Sequence, residues 1–397
     1  MKGVDNPMTE NDPILQELKS IAKSRVSRRT VLAGAGAVGA GSLLAACGGG
    51  GSKVDANTIR WGNWTLYLDY DSTKKVYPTL EEFTKQTNIK VKYLEDYNDN
   101  DEFYGKVQGQ LKLNKDIGYD LVCPTDWMAG RWIRLGYAAD LNYDNIPNAK
   151  NLLPGLKNVS FDPGRKNSIT WQGIMGGFTW NKEKLPKGIH TLDELFAPAN
   201  KGKIEVLTEL RDTVGVIMLA QGVDITKFTK DQYYNALDFL QKKIADGFIR
   251  QVKGNDYKED LISGDAVACI AWSGDAFQLA AENDGKFDFA IPESGGTISA
   301  DNFIIPSTVT AETKPKVEEL INYYYDPMVA AKVAAYVNYI CPVQGAQEAM
   351  AKIDPSLVNN ELIFPTAKTQ SKLHVFRNLT PAEETEFTDA FQKATGN

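Results

Sequence analysis

The chain has 397 residues, with 44 Lys or Arg, 51 Asp or Glu and two His. That length suits two lobes of ordinary size, and a formal net charge of −7 argues against nucleic acid as a partner and suits a cationic one. Neither His190 nor His374 sits in a nucleophile-elbow or H-E-x-x-H context, which disfavours a zinc site or a Ser-His-Asp triad; no metal or cofactor is expected.

The chain begins with a charged stretch, the adjacent arginines of Ser27-Arg28-Arg29-Thr30-Val31-Leu32, a short apolar run from Val31 to Ala46, and Leu44-Ala45-Ala46-Cys47-Gly48. Charge, apolar run and small residues before a cut site describe a secretory signal. The run resembles the twin-arginine signal and lipobox of bacterial lipoproteins, although a Phe is usual at Val31 and a Lys is common at Ala33. The resemblance implies removal of residues 1–46, a lipid on Cys47, and a membrane anchor on the outer face of the cell membrane or in the periplasm. Gly34-Ala35-Gly36-Ala37-Val38-Gly39 fits G-x-G-x-x-G but has no strand before it, so it is not a dinucleotide fingerprint. Residues 1–46 hold six Lys or Arg and four Asp or Glu, so the remainder carries 38 basic and 47 acidic residues, a net of −9. Residues 47–56, with Gly48-Gly49-Gly50-Gly51-Ser52, read as a flexible tether.

The body alternates strands and helices. Thr58–Trp64 reads as a strand. Thr79-Leu80-Glu81-Glu82 reads as a capping box opening a helix that Asn88 closes, and Ile89–Glu95 alternates as a strand does. Phe103, Val107 and Leu111 share a helical face, Tyr119–Pro124 is an apolar strand, and a helix runs from Asp126 to Leu135 before Gly136. Ile169–Asn181 is extended, Thr191-Leu192-Asp193-Glu194 is a second capping box, and the strand Lys203–Leu207 leads into a helix from Arg211. Residues 231–245 form an amphipathic helix with Tyr234, Leu237, Leu240 and Ile244 on one side. Strands at Ala266–Trp272 and Phe287–Ile291 flank a helix at Asp275–Glu282, and helices follow at Pro315–Tyr325 and Pro327–Tyr339. Such alternation predicts an α/β fold with mostly parallel sheets. Cys123, Cys269 and Cys341 cannot all pair and show no C-x-x-C spacing, so buried thiols are expected.

In open α/β sheets, ligands sit beyond the carboxyl ends of strands. That rule nominates Trp64-Thr65-Leu66-Tyr67, Thr125-Asp126-Trp127, Thr208–Asp212, Trp272–Asp275 and Asp301, where aromatics and carboxylates recur. An ammonium leaving water costs several kcal/mol unless a carboxylate meets it, and indole and phenol rings attract cations by about 0.5–2 kcal/mol each. Acids and rings together therefore suit a di- or triamine. Glu209 and Asp212 are three apart and can face one point in a helix's first turn.

Asn63-Trp64-Thr65-Leu66-Tyr67, Tyr119–Thr125, Ala271-Trp272-Ser273-Gly274-Asp275-Ala276-Phe277 and Pro292-Glu293-Ser294-Gly295-Gly296 resemble the spermidine/putrescine-binding proteins of bacterial ABC importers, over nearly all of residues 58–395. The resemblance implies a two-lobed periplasmic-binding-protein-like fold (type II), with strands crossing between the lobes, lobe 1 from residues 57–172 and 299–345, and lobe 2 from 173–298 and 346–397. It implies a monomer that takes a polyamine in the cleft and delivers it to an ABC permease, without covalent chemistry. By the same resemblance, Trp64, Thr65 and Tyr67 form a first wall, and Thr125 and Trp127 a second. Glu209 and Asp212 hold one ammonium, Trp272 stacks, Asp301 meets the opposite amine, and Tyr339 is a late aromatic. The polyamine binders carry a Trp where Ser299 stands and a Gln near Arg377. Those two departures support a second reading, a smaller amine or a zwitterion whose carboxylate meets Arg377. A carboxylate-pair glycosidase shares the aromatic-plus-acid composition, and a surface protein without ligand is the remaining alternative.

Overall fold

A computed structural model describes residues 57–396. The signal segment, Cys47 and the tether up to residue 56 lie outside the described residues. Among the described residues, ten strands form one sheet: β1 Thr58–Trp64, β2 Lys90–Tyr97, β3 Leu121–Val122, β4 Ser168–Asn181, β5 Ile204–Leu207, β6 Ile249–Lys253, β7 Ala268–Trp272, β8 Phe287–Ala290, β9 Gly296–Ile304 and β10 Leu373–His374. The order is β2-β1-β3-β9-β4-β7-β5-β6, with β10 beside β9 and β8 beside β4. The two wings are parallel: β1 with β2 and β3, and β5 with β6 and β7. The centre is antiparallel, because β4 pairs with β9 from Ser168↔Ile304 to Gly176↔Thr297 and then continues beside β7 and β8. Strand β9 in turn meets β3 at Ile304 and β10 at Gly296 and Thr297. Two long strands thus pass from one wing to the other, and Ile340 adds a bridge to Gly173. All fourteen residues of β4 are buried, as expected of a strand covered on both faces.

The elements follow from local chemistry, with three corrections. The helix Pro78–Thr87 does not use Thr79 as a cap: Pro78, whose missing N–H costs nothing there, takes the first turn, and Tyr77 is the N-cap. Thr79 instead gives its backbone N–H to Asp69 at 3.0 Å and its hydroxyl to the same carboxylate, so Asp69 does the capping. Asn88 closes the helix in the left-handed conformation, as expected. The box at Thr191 and Glu194 forms. In the helix Lys230–Ala245 the deeply buried ring is Tyr233, not Tyr234. Tyr233 stacks on Phe387 at 3.9 Å, a residue of the helix Pro381–Thr395 that lies 154 residues away in sequence and leaves no local signal. Finally, Asp301 does not follow a strand but lies inside β9, opposite Gln172. Cys123, Cys269 and Cys341 are free and buried.

Candidate ligand-binding site

The carboxyl ends of the strands converge on a narrow slot. It is lined by Trp64, Thr65, Tyr67, Asp99, Asn100, Thr125, Ile174, Glu209, Asp212, Asn255, Trp272, Ser299, Asp301 and Tyr339. The space between these residues is about 490 Å³, part of it open to solvent. Two aromatic pairs flank it: Trp64 and Trp272 with ring centres 6.2 Å apart, and Tyr67 edge-on to Tyr339 at 4.9 Å.

Each ring is held. Trp64 donates its indole N–H to the Cys123 carbonyl at 2.8 Å. Tyr339 donates to Asp275 at 3.0 Å, and Asp275 is also met by Tyr257 and by the Lys258 ammonium at 3.1 Å. That leaves Asp275 neutralised and outside the slot lining. The Tyr339 ring lies flat over Gly274, where any Cβ would overlap it.

Four carboxylates face the slot, and their burial dominates their chemistry. Asp301 accepts from the Thr125 hydroxyl at 2.7 Å, and Asn100 holds that hydroxyl in place at 2.9 Å. Burial pushes Asp301 up to about 8, with Asp126 and Asp212 nearby adding repulsion. Asp212 accepts from the Trp272 indole at 2.8 Å and from Thr297 at 2.5 Å; burial raises it despite both bonds. Gly176 makes this possible, since a Cβ there would collide with the Thr297 hydroxyl. Burial raises Glu209 to about 7, opposed by the neighbouring Arg211, and burial also raises Asp99. Among the described residues, Glu209 alone of the four has a guanidinium against it, Arg211 at 3.2 Å. The Tyr67 hydroxyl lies beside Asp301 and acts on it as a donor, partly offsetting the upward push of burial, and among the described residues the Asn255 side-chain carbonyl oxygen is buried without a hydrogen-bond partner. That oxygen is an acceptor left open to a ligand's donor.

Of the residues nominated from sequence, Trp64, Thr65, Tyr67, Thr125, Glu209, Asp212, Trp272, Asp301, Tyr339 and Ser299 line this slot. Trp127 stands one step outside it, in an adjoining groove, and donates its indole N–H to Glu209 at 2.9 Å. Arg377 is not brought to the slot: it forms a two-pronged pair with Glu383, donates to the Phe228 carbonyl and lies over the Phe228 ring. Sequence reasoning missed Asp99, Asn100, Ile174 and Asn255. The strand-end rule would have found Asp99 and Asn100, just beyond β2, and Asn255, just beyond β6. Ile174 sits within the crossing strand β4 and carries no local signal.

The family model of bacterial extracellular solute-binding proteins matches residues 79–364. The chain belongs to this bacterial extracellular solute-binding protein family. Its members bind solutes for transport and are not enzymes. The spermidine/putrescine-binding periplasmic protein of Escherichia coli strain K12 is 28% identical over 347 residues, covering 86% of this chain and 91% of the relative. The putrescine-binding periplasmic protein PotF of the same organism is 26% identical over 372 residues, covering 89% and 95%. Among solved structures, a putative spermidine/putrescine ABC transporter protein from Listeria monocytogenes superposes with a TM-score of 0.72 at 24% identity, covering 85% of this chain and 98% of that one. This solute-binding protein therefore has the two-lobed periplasmic-binding-protein-like α/β fold, with a mixed central sheet whose parallel wings flank the crossing strands.

Proposed function

We propose that this solute-binding protein captures an extracellular polyamine of the putrescine/spermidine class in the slot and passes it to an ABC permease. The observation that carries the reading is the set of buried carboxylates around an aromatic slot, of which Asp212 and Asp301 have only hydroxyl and indole donors against them. Buried charge without a counter-charge is expensive; ammonium groups at either end of an apolar chain supply that counter-charge. The Trp and Tyr rings wall the methylenes and attract the cations. The solutes for which the two Escherichia coli relatives are named, spermidine and putrescine, agree with this chemistry.

The two lobes in this reading are residues 57–172 with 299–345 and residues 173–298 with 346–397, hinged where β4, β9 and the segment at Ile340 cross. Contacts between them close the slot: Thr208 to Asp99 at 2.8 Å, Trp127 to Glu209, and Arg131 and Arg134 to the buried Glu384 at 3.2 and 2.9 Å. Ligand bridging both lobes favours this closed form, the state a permease would read. The zwitterion reading loses its support, because Arg377 is engaged with Glu383. A lipid on Cys47 and the Gly-rich segment after it would hold the monomer at the membrane.

The test is thermal unfolding of residues 53–397 against putrescine, spermidine, spermine, agmatine, γ-aminobutyrate and basic amino acids. A ligand at a hundred times its Kd adds about 2.7 kcal/mol. A rise with the amines that disappears in Asp301→Ala supports the reading. A rise only with zwitterions refutes it.

A further inference from the structure

Arg211 stands where the slot ends. Glu209 lines both the slot and the groove beside it, whereas Arg211 lines the groove alone. The groove is roomier, about 1320 Å³ against about 490 Å³ for the slot, both open to solvent. A linear amine too long for the slot would pass Glu209 and emerge at Arg211. The guanidinium there is fixed on three sides. It gives a hydrogen bond to Glu209 at 3.2 Å, lies over the Trp127 ring with its centre 3.9 Å away, and approaches Glu384 at 3.7 Å. Its side chain is only 12% exposed.

A count of charges gives the consequence. Asp99 already accepts from the N–H groups of Asp101 and Glu102 and from the Thr208 hydroxyl, and as the N-cap of the helix Asn100–Lys112 it faces the positive end of that helix. Glu209 is balanced by Arg211. The two carboxylates left for a ligand are Asp212 and Asp301, which matches two ammonium groups and not three.

We propose that the Arg211 guanidinium serves as a built-in cation at Glu209 and makes the site prefer a diamine to a triamine. The proposal rests on the amine reading above and narrows it. A third ammonium reaching Glu209 meets a carboxylate already paired and a like charge beside it. It must push Arg211 off the Trp127 face, while Glu384 stays satisfied by Arg131 and Arg134.

The experiment is calorimetric titration of residues 53–397 with 1,4-diaminobutane and with spermidine, in the wild type, Arg211→Gln and Arg211→Lys. The wild type should bind the diamine more tightly. Arg211→Gln should shift the ratio of the two Kd values toward spermidine by about tenfold or more, the low end for close charge pairs at interfaces. Arg211→Lys, which keeps the charge, should shift the ratio far less. A wild type that prefers spermidine overturns the proposal. So does an Arg211→Gln variant that weakens both ligands by the same factor, because that marks Arg211 as structural. Absence of binding to either amine in the wild type overturns the amine reading itself, a different outcome from binding without the predicted preference.

Discussion

Binding should release a proton, and the amount can be worked from Asp301. Its carboxyl is pushed up to about 8 by burial, so at neutral pH the empty site holds it mostly protonated. An ammonium needs the ionised form. The apparent Kd is therefore raised by the factor 1 + 10^(pKa − pH), which is about 100 at pH 6, about 10 at pH 7 and about 2 at pH 8, from the free energy of about 1.4 kcal/mol per pKa unit. Affinity for 1,4-diaminobutane should tighten roughly fiftyfold from pH 6 to pH 8, then weaken as the amines lose their own protons near pH 10. The sign for stability runs the other way. A carboxyl whose folded pKa exceeds its unfolded value of 3.8 stabilises the protein below that value, and the contribution is lost as pH rises through about 8. The ligand-free protein should lose up to about 1.4 kcal/mol per pH unit from this group across that window. Glu209, raised to about 7, adds the same trend up to its own pKa. Titration calorimetry in buffers of different ionisation enthalpy measures the proton directly, with about 0.9 released per diamine at pH 7 expected from Asp301 alone. In Asp301→Asn that share of the release should vanish and the pH dependence should flatten. Affinity that is constant from pH 6 to pH 8, with no proton released, would refute the reasoning.

Three other substitutions probe separate parts of the structure. Gly274→Ala places a Cβ in the Tyr339 ring, so the ring must leave Asp275; titration should show amine binding weakened about tenfold or more, with the circular dichroism of the fold retained. Trp272→Phe keeps an aromatic wall but removes the indole donor 2.8 Å from Asp212. A hydrogen bond to a charged group contributes about 1.5–3 kcal/mol to stability, so urea unfolding of the ligand-free variant should show a loss of that order, and an unchanged stability would refute the role given to this bond. Cys47→Ser should move the protein from the membrane fraction to the soluble fraction and abolish incorporation of labelled palmitate; retention on the membrane would exclude the lipid anchor.

Much of the scaffold was legible because its signals are local. Thr58–Trp64 and Asp126–Arg134 appear where residue patterning put them, and the box at Thr191 forms because Glu194 sits three residues on. The misreadings share one cause, a partner distant in sequence. Asp69, ten residues before Thr79, captured its N–H and hydroxyl. Phe387 chose Tyr233 over Tyr234. Strand β9 has a Gly, two Ser or Thr and two acid or amide residues among its nine, which conceals a strand whose burial comes from lying between β3, β4 and β10. The site was legible to the extent that strand ends collect ligands. Arg377 was misplaced because only the fold shows that Glu383 claims it, and Arg211, although within the nominated Thr208–Asp212, received no role beside two conspicuous acids.

On the amine reading, selectivity against zwitterions follows from what the surrounding cations already do. An amino acid such as lysine or ornithine offers two amines, as a diamine does, but brings a carboxylate with one of them. That carboxylate would enter a space lined by Asp99, Asp212, Glu209 and Asp301 and would need a positive partner there. Arg211 is committed to Glu209 and Glu384, Lys258 to Asp275, and Arg377 to Glu383. An unpaired carboxylate taken from water into such a space costs several kcal/mol, before repulsion from the resident acids is counted. On the amine reading the arrangement should therefore reject zwitterions by charge and favour simple amines, and the upward push of burial on Asp301 makes four buried acids tolerable in the empty protein.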